Sequence, residues 1–296
     1  MSTEVIGVER DGHVAVVWLQ RPEARNAMGP AFFEQLPVAM ADVSADPAVR
    51  AVVLAARGPH FSVGLDLKAM GSLLAGTADE GRAAQGTGAG TGPAGDPSPG
   101  SGRPPSAAVR AATTRAAILR LQASISSVAD CPKPVIAAVH GYCIGGGVDL
   151  VSACDIRLAS ADAVFSVRET KVAIVADLGS LQRLPRILAR GHVAELAFTG
   201  RDIGADRALA IGLVNDVLPD PGAVQTAALA VAGEIAANSP LAVQGTKAVL
   251  RACEDRTVAE GLDYVATWNA GFLQSEDLTE AVTAFMEKRP PRFSGH

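Results

Sequence analysis

Apolar residues occur in short unbroken runs in the first half of the chain. Val14–Leu19 and Ala51–Ala56 are such runs, and Pro134–Val139 and Asp155–Ser160 have a similar character. Runs of this kind are typical of strands that are buried on both faces of a sheet. A helix is predicted from about Pro30 to Ser44, because proline is tolerated in a first helical turn. Strands that alternate with helices predict an α/β architecture.

The pattern becomes helical after about residue 200. It predicts a core over residues 1–200 and a helical C-terminal region over residues 201–296. A long alanine-rich helical region after an α/β core commonly packs on a neighbouring subunit, so we expect an oligomer. The predicted helices are Ala205–Ile211, Ala223–Ala237, Pro240–Ala252, Val258–Leu273 and Leu278–Glu287.

One segment of low complexity, Ala75 to Ala108, interrupts the predicted core. It contains no Val, Ile, Leu, Met or aromatic residue. Such a segment cannot bury enough apolar surface to offset the entropy lost on ordering, so we predict a mobile insertion on the surface. Its glycine-rich run does not fit a nucleotide-binding loop, because no strand precedes it and no Lys-Ser/Thr pair follows.

The composition argues against several classes of partner. The chain has 296 residues, a net charge of −5 and a pI of about 5.6, so no global positive field attracts nucleic acid or an anionic membrane. No window approaches the length of about eighteen apolar residues that a membrane span needs. The N-terminus lacks a signal-peptide pattern and the C-terminus lacks a Ser-Lys-Leu address. We therefore expect a cytoplasmic protein.

The cysteines and histidines give no pattern of a metal site. Cys131, Cys143, Cys154 and Cys253 form no C-x-x-C pair, and the five histidines are dispersed. We expect all four cysteines to be small buried residues. His140 lies at a predicted strand end without a nucleophile motif, so we assign it a structural role.

Three consecutive glycines follow His140, at residues 145–147, and a helical pattern begins at Val148. Glycines at the start of a helix allow a ligand to approach the main chain, whose N–H groups suit an oxygen that gains negative charge. A second segment, Gly58–Met70, follows a buried strand and offers another main-chain donor. Two converging donors would form an oxyanion hole. The alternative is an ordinary flexible turn.

Three carboxylates follow the glycines along the chain: Asp149, Glu169 and Asp177. Asp177 lies among apolar residues, so its pKa is expected to be raised and its protonated form favoured. The alternatives are structural. Asp177 could cap the following helix. Asp149 could be a stabilising negative charge at the N-terminus of a helix. Glu169 could form a surface ion pair with Arg168 or Lys171.

Six motifs in this order resemble the crotonase (enoyl-CoA hydratase/isomerase) superfamily. The resemblance runs from about residue 5 to the C-terminus, except in the low-complexity insertion. It implies a spiral of ββα units followed by a helical region that forms trimers or dimers of trimers. The motifs are RPEARNAM (21–28), FSVGLDL (61–67), CPKPVIAAVHGYCIGGGVDL (131–150), ACDIRLAS (153–160), LQRLPR (181–186) and AFMEKRPPRF (284–293).

The resemblance also implies a ligand, an acyl-CoA thioester. Its carbonyl would be polarised by the main-chain N–H groups of Leu65 and Gly146, and CoA would lie along the turn from Gly64 to Lys68. Phe285 and Lys288 match residues that help to hold CoA from the last helix of an adjacent subunit. The implied substrate-binding residues are Gly64, Asp66, Leu67, Lys68, Gly147, Phe285 and Lys288.

Typical hydratases of this superfamily carry Glu at the positions of Asp149 and Glu169. This chain has the shorter acid at 149 and an additional acid at 177, and in this it resembles the Δ3,5-Δ2,4-dienoyl-CoA isomerases. A proton must move from C2 to C6 in that reaction, which is too far for one carboxylate to serve easily. Glu169 is predicted to be the base, Asp177 the acid and Asp149 an orienting group. No metal, flavin or nicotinamide is expected.

Three other functions remain open at this point. An enoyl-CoA hydratase, which is a lyase, would add water to a 2-enoyl-CoA, and a shared fold does not fix the reaction. A Δ3-Δ2 isomerase would need one base only, so that Asp177 would be dispensable. A non-catalytic acyl-CoA-binding or assembly protein would bind thioesters without turnover.

Overall fold

The structure is a computed structural model that describes residues 4–71 and 106–296. Most of the predicted insertion, Ala75 to Ala108, therefore lies outside the described residues. Its last three residues do not fit the prediction, because Ser106 caps a helix that begins at Ala107. The Ser106 hydroxyl accepts a hydrogen bond from the main-chain N–H of Val109, which satisfies one free donor of the first turn.

Strands and helices alternate through the first part of the chain, as the apolar runs predict. The strands are β1 (Ile6–Asp11), β2 (Val14–Leu19), β3 (Ala51–Ala56), β4 (Val135–Val139), β5 (Tyr142–Ile144), β6 (Ile156–Ser160), β7 (Val164–Ser166), β8 (Ile203–Gly204) and β9 (Asp216–Leu218). The helices are α1 (Pro30–Ala45), α2 (Ala107–Asp130), α3 (Gly146–Ser152), α4 (Ser180–Ile187), α5 (Arg190–Thr199), α6 (Ala205–Ala210), α7 (Pro221–Ala236), α8 (Pro240–Cys253), α9 (Val258–Phe272) and α10 (Glu276–Glu287).

The larger sheet has the strand order β1-β2-β3-β4-β6-β9. β1 is antiparallel to β2, and the other neighbours are parallel. A smaller sheet has the order β5-β7-β8. The predicted α/β class is therefore confirmed.

Helices cover both faces of the larger sheet, which explains why β2, β3 and β4 consist of apolar residues alone. Alternate side chains of a strand point to opposite faces. Ala15, Val17 and Leu19 of β2 pack in a cluster with α1. Val14, Val16 and Trp18 pack with buried residues of α7 in a second cluster.

Two parts of the fold do not follow from the apolar pattern. Helix α2 is not predicted, because its hydrophobic stripe is weak. The packed core also extends beyond the predicted boundary at residue 200, since β9 joins the larger sheet and α7 covers one of its faces. The helical region that follows, α8 to α10, agrees with the predicted helices to within about two residues.

The C-terminal residues are tied to the core by polar contacts. Arg50 donates to the main-chain oxygens of Ala236 and Phe293, at 3.2 and 2.7 Å. The buried carboxylate of Asp277 accepts hydrogen bonds from the main-chain N–H groups of Ser294 and Gly295. The last residues therefore lie against the same body as the strands.

Within the described ranges 4–71 and 106–296, no single helix is long and apolar enough to cross a membrane. Helices α7 and α8 reach that length and composition only as a pair, and they are bent by 107° at their junction.

Candidate active site

Two main-chain segments meet side by side at the ends of β3 and β4. The N–H of Phe61 donates to the oxygen of His140, and that of Ser62 donates to the oxygen of Tyr142, both at 2.9 Å. The N–H of Ile144 donates back to the oxygen of Ser62 at 3.0 Å. These bonds place the residues after β3 directly beside the glycine run.

Gly64 is buried between the two segments. A Cβ atom at this position would lie 2.7 Å from the main-chain oxygen of Ile144 and 3.2 Å from the nitrogen of Gly146. Its φ of +86° is also unfavourable for other residues. The expected substrate-binding residue Gly64 thus has a clear packing role.

The N–H groups of Leu65 and Gly146 donate to no protein acceptor within the described ranges. A Cβ built on Gly146 would lie 3.8 Å from the nitrogen of Leu65, so the two groups are near neighbours. Gly146 begins α3 (two residues before the predicted start at Val148), and a first-turn N–H has no partner within the helix. These are the two donors that the sequence predicts for an oxyanion hole.

Asp149 lies in the first turn of α3 and is only 1% exposed. Its Oδ1 accepts a hydrogen bond of 2.6 Å from the main-chain N–H of Ser180, the first residue of α4. Burial raises the pKa of Asp149 to about 6, against the lowering effect of this bond. The carboxylate is therefore fixed in direction, and it is mostly ionised only above about pH 6.

Glu169 begins a short 3-10 helix, Glu169–Val172, and faces the glycine run. A Cβ at Gly145 would lie 3.2 Å from its Oε1. The other oxygen, Oε2, is buried and has no hydrogen-bond partner in the described part of the chain. Burial, and then the charge of Asp149, raise the pKa of Glu169 to about 7. The alternative of an ion pair with Arg168 fails, because Arg168 pairs with Asp202.

Asp177 is half-buried between the buried residues Ala176 and Leu178. Burial raises the pKa of its carboxyl group, as the apolar surroundings in the sequence predict. Asp177 does not cap the next helix, since the N-cap of α4 is Gly179. Its main-chain oxygen accepts a hydrogen bond of 2.6 Å from the side chain of Gln122 on α2.

The three carboxylates act on one another electrostatically. The charge of Asp177 raises the pKa of both Asp149 and Glu169, and the charge of Asp149 also raises that of Glu169. Groups so coupled lose their protons in successive steps that belong to the group as a whole. A cluster of this kind can therefore provide a base and a protonated acid in the same site.

The turn that is expected to carry CoA is held by the side chain of Asp66. Asp66 pairs with Arg21 at 2.9 Å, and its other oxygen accepts the N–H of Ala69 at 3.1 Å. These hydrogen bonds lower the pKa of Asp66, that from Ala69 most strongly. Leu67 is 48% exposed and Lys68 is exposed, so both remain accessible.

The other expected substrate-binding residues lie in two different environments. Gly147 is buried, and a Cβ there would lie 3.1 Å from the main-chain oxygen of Ser62. Phe285, on α10, is 80% exposed, and Lys288 just beyond it is also exposed. Phe285 and Lys288 share no hydrogen bond or ion pair with the carboxylates among the described residues.

The cysteines and His140 lie in the environments expected of structural residues, with one exception. Cys131, Cys143 and Cys154 are buried as expected, but Cys253, at the end of α8, is exposed, so that part of the prediction is wrong. The Nε2 of His140 is 2.8 Å from the main-chain oxygen of Gly58, which fits a structural role. No His, Cys, Asp and Glu side chains within 4–71 and 106–296 group as metal ligands.

Sequence reasoning missed the groups that hold the acids in place. Ser180, Gln122 and Arg183 contact the acidic residues or their loop through tertiary structure. None of them belongs to a local motif with a chemical meaning. Met28 belongs to a motif that predicts no role for it, yet its Sδ lies 3.0 Å from where a Cβ on Gly146 would be.

Two relatives with the same activity in their names match nearly the whole chain. The peroxisomal Δ(3,5)-Δ(2,4)-dienoyl-CoA isomerase of Arabidopsis thaliana is 40% identical over 296 residues, which cover 99% of this chain and 97% of that protein. The mitochondrial Δ(3,5)-Δ(2,4)-dienoyl-CoA isomerase of Rattus norvegicus is 44% identical over 279 residues, which cover 94% of this chain and 77% of that protein.

These relatives contradict the expected cytoplasmic location. Both carry an organelle in their names, one the peroxisome and the other the mitochondrion. The expectation was based on the absence of targeting patterns from the terminal residues, and such an absence excludes no compartment.

A solved structure and a family model also match most of the chain. The crystal structure of an enoyl-CoA hydratase from Bacillus anthracis matches with a TM-score of 0.83 at 29% identity, covering 99% of this chain and all of that one. The family model described as enoyl-CoA hydratase/isomerase matches residues 9–85 and 107–296. The chain belongs to the enoyl-CoA hydratase/isomerase family.

Proposed function

We propose that this enzyme converts a 3,5-dienoyl-CoA into a 2,4-dienoyl-CoA. The observation that carries the proposal is the electrostatic coupling of three carboxylates, Asp149, Glu169 and Asp177, of which Glu169 lies against the glycine run. The free N–H groups of Leu65 and Gly146 lie next to the same run. The isomerase relatives, at 40 and 44% identity, favour this reaction over hydration.

The proposed reaction begins with the thioester oxygen at the two main-chain donors. They stabilise the negative charge that develops on this oxygen, and one such donor is typically worth about 3 kcal/mol. Glu169 removes a proton from C2, and the electrons of that bond move into the thioester carbonyl to give a dienolate with negative charge on its oxygen. When this charge returns to the acyl chain, a double bond forms between C2 and C3. The original double bonds shift to give one between C4 and C5, and C6 takes a proton from Asp177.

The environments of the two acids suit these roles. The unpartnered Oε2 of Glu169 is free to accept a proton, and a pKa of about 7 makes its carboxylate an effective base near neutral pH. The raised pKa of Asp177 favours a proton donor. Asp149 is fixed by the Ser180 N–H, and its role is to orient and polarise the site.

We infer that the reaction uses neither a metal nor a redox cofactor. The conversion moves a proton and two double bonds without a net transfer of electrons. Its charged intermediate is a dienolate, which main-chain donors can stabilise. CoA enters as part of the substrate.

The working enzyme is proposed to be a homotrimer or a hexamer. The exposed side chain of Phe285 then contacts CoA bound to an adjacent subunit, and Lys288 provides a cation for it. Their exposure in the single chain supports this arrangement, since neither is used in internal packing.

The proposed reaction is tested by comparing two substrates. Purified protein is expected to convert a 3,5-dienoyl-CoA into a product with the ultraviolet absorbance of a conjugated 2,4-dienoyl thioester. It is expected to add water to crotonyl-CoA far more slowly. Faster hydration than isomerisation would identify a hydratase instead, and binding without turnover of either substrate would identify a non-catalytic acyl-CoA-binding protein.

The pH dependence provides a further prediction, on Asp149→Asn. In the unchanged enzyme kcat/KM is expected to rise with pH through about 7, as Glu169 ionises. Asp149, with a pKa of about 6, is mostly ionised in that range and disfavours a second negative charge. Removing its charge lowers the pKa of Glu169, so the rising limb moves to lower pH.

The matched control is Asp206→Asn, an exposed carboxylate on α6. Its pH profile of kcat/KM should coincide with that of the unchanged enzyme. A rising limb that stays in place, or moves to higher pH, in Asp149→Asn would contradict the electrostatic coupling of Asp149 and Glu169.

A further inference from the structure

The segment that carries Asp177 has little regular structure of its own. Ile174 to Gly179 lies between the 3-10 helix and α4, outside any helix or strand. The position of the Asp177 carboxyl group therefore depends on contacts with other elements. The strongest of these come from one face of α2.

Gln122 of α2 makes the closest of these contacts. Its side-chain amide donates a hydrogen bond of 2.6 Å to the main-chain oxygen of Asp177. The bond joins residues 55 positions apart in the chain. It leaves the carboxyl group of Asp177 free for chemistry, while it fixes the peptide unit to which that side chain belongs.

A second contact supports the same segment. Ser126, one helical turn after Gln122 and on the same face of α2, accepts a hydrogen bond of 2.9 Å from Arg183. Arg183 donates in turn to the main-chain oxygen of Leu178 at 3.3 Å. Two successive carbonyl groups are thus held from one helix face, directly by Gln122 and through Arg183 by Ser126.

We propose that Gln122 is a positioning residue for Asp177, and that it sets how often the dienolate intermediate is protonated at C6. This inference rests on the proposed function. A donor that lies about 1 Å from its working position can lose about two orders of magnitude in rate. Gln122 touches no substrate atom in this role, and among the described residues its side chain makes no hydrogen bond to Glu169, so the base does not depend on it.

The role of Gln122 can be separated from a general structural role by following two proton transfers. Glu169 removes the C2 proton, and return of a deuteron from D2O to C2 reports this step alone. Formation of the 2,4-dienoyl product requires Asp177 as well. A defect confined to Asp177 therefore raises the ratio of C2 exchange to product formation, whereas general damage lowers both.

The test uses Gln122→Met, which keeps the length of the side chain and removes its donor. Product formation is expected to fall by about 10- to 100-fold, with KM and C2 exchange nearly unchanged. Gln122→His, whose Nε2–H can still donate, is expected to recover part of the loss. Mass spectrometry of the remaining substrate measures exchange, and absorbance measures the product.

The matched control is Gln182→Met, because Gln182 is exposed on α4 and its side chain makes no hydrogen bond within the described residues. It should keep the rates of the unchanged enzyme. In the presence of Asp177→Asn, Gln122→Met should cause little further loss, because the two changes affect one step.

Three results would overturn the inference. They are an unchanged product rate in Gln122→Met, an equal loss of exchange and product formation, and a full additional loss in the double variant. If Gln122→Met does not fold, the same criteria apply to Gln122→His, which must then show a raised exchange ratio. Failure of the unchanged enzyme to isomerise any 3,5-dienoyl-CoA would instead reject the proposed function itself.

Discussion

Asp177→Asn is expected to lower the rate of 2,4-dienoyl-CoA formation by about 10²- to 10⁴-fold, which is the usual contribution of a general acid or base. Asparagine has nearly the shape of aspartate but cannot deliver a proton to C6. The main-chain contact with Gln122 does not involve the side chain that changes. Binding of the CoA thioester should therefore persist, and calorimetric titration with an unreactive acyl-CoA would measure it.

Exchange at C2 should remain in this variant, because Glu169 is intact. The control is Asp206→Asn, which replaces an exposed carboxylate on α6 and should leave both rates unchanged. Normal isomerisation by Asp177→Asn would remove the two-acid mechanism and favour an isomerase that uses a single base.

Glu169→Gln is expected to abolish both processes, in contrast to the loss of Asp177. Without the base, the C2 proton is not removed, so product formation and C2 exchange should each fall by about 10²- to 10⁴-fold. Glutamine is similar in size and is neutral, so it also removes one of the coupled charges. The folded protein should tolerate it, because the Glu169 carboxylate is disfavoured by burial.

Glu234→Gln serves as the control for this second variant, since Glu234 is an exposed residue of α7. Retention of C2 exchange in Glu169→Gln would assign the base to another carboxylate, with Asp149 the nearest candidate by its electrostatic coupling. Thermal unfolding would establish that each variant is folded before its rates are compared.

The parts of the fold that could be predicted are those with strong local patterns. β2 and β3 have the predicted bounds, Val14–Leu19 and Ala51–Ala56, since apolar runs of this length have few alternatives to a buried strand. β5, with three residues, and β8, with two, are too short for a pattern. Helix α2 is weakly amphipathic because two of its four buried residues are Ala117 and Ser124, and a weak apolar stripe does not stand out in a sequence.

The candidate site shows the same division between local and tertiary information. The two donors and the three acids could be found because glycines and carboxylates are themselves the chemical signal. Their relative positions could not be derived, since Asp149 meets Ser180 only when α3 and α4 pack together. The rise in the pKa of Glu169 above its ordinary value also has a tertiary cause, because burial and the charges of Asp149 and Asp177 act on it together.

The groups next to Gly64 that polarise the thioester are main-chain N–H groups, those of Leu65 and Gly146, and this limits how much the evolution of side chains can disturb them. Their spacing follows from peptide-to-peptide contacts between the two segments, so most substitutions of side chains leave it intact. An ancestral protein could therefore gain or lose an acid at one position without rebuilding the group that activates the thioester. A constant pair of main-chain donors, combined with acids that can be exchanged, explains how related sequences can diverge in reaction while keeping their architecture.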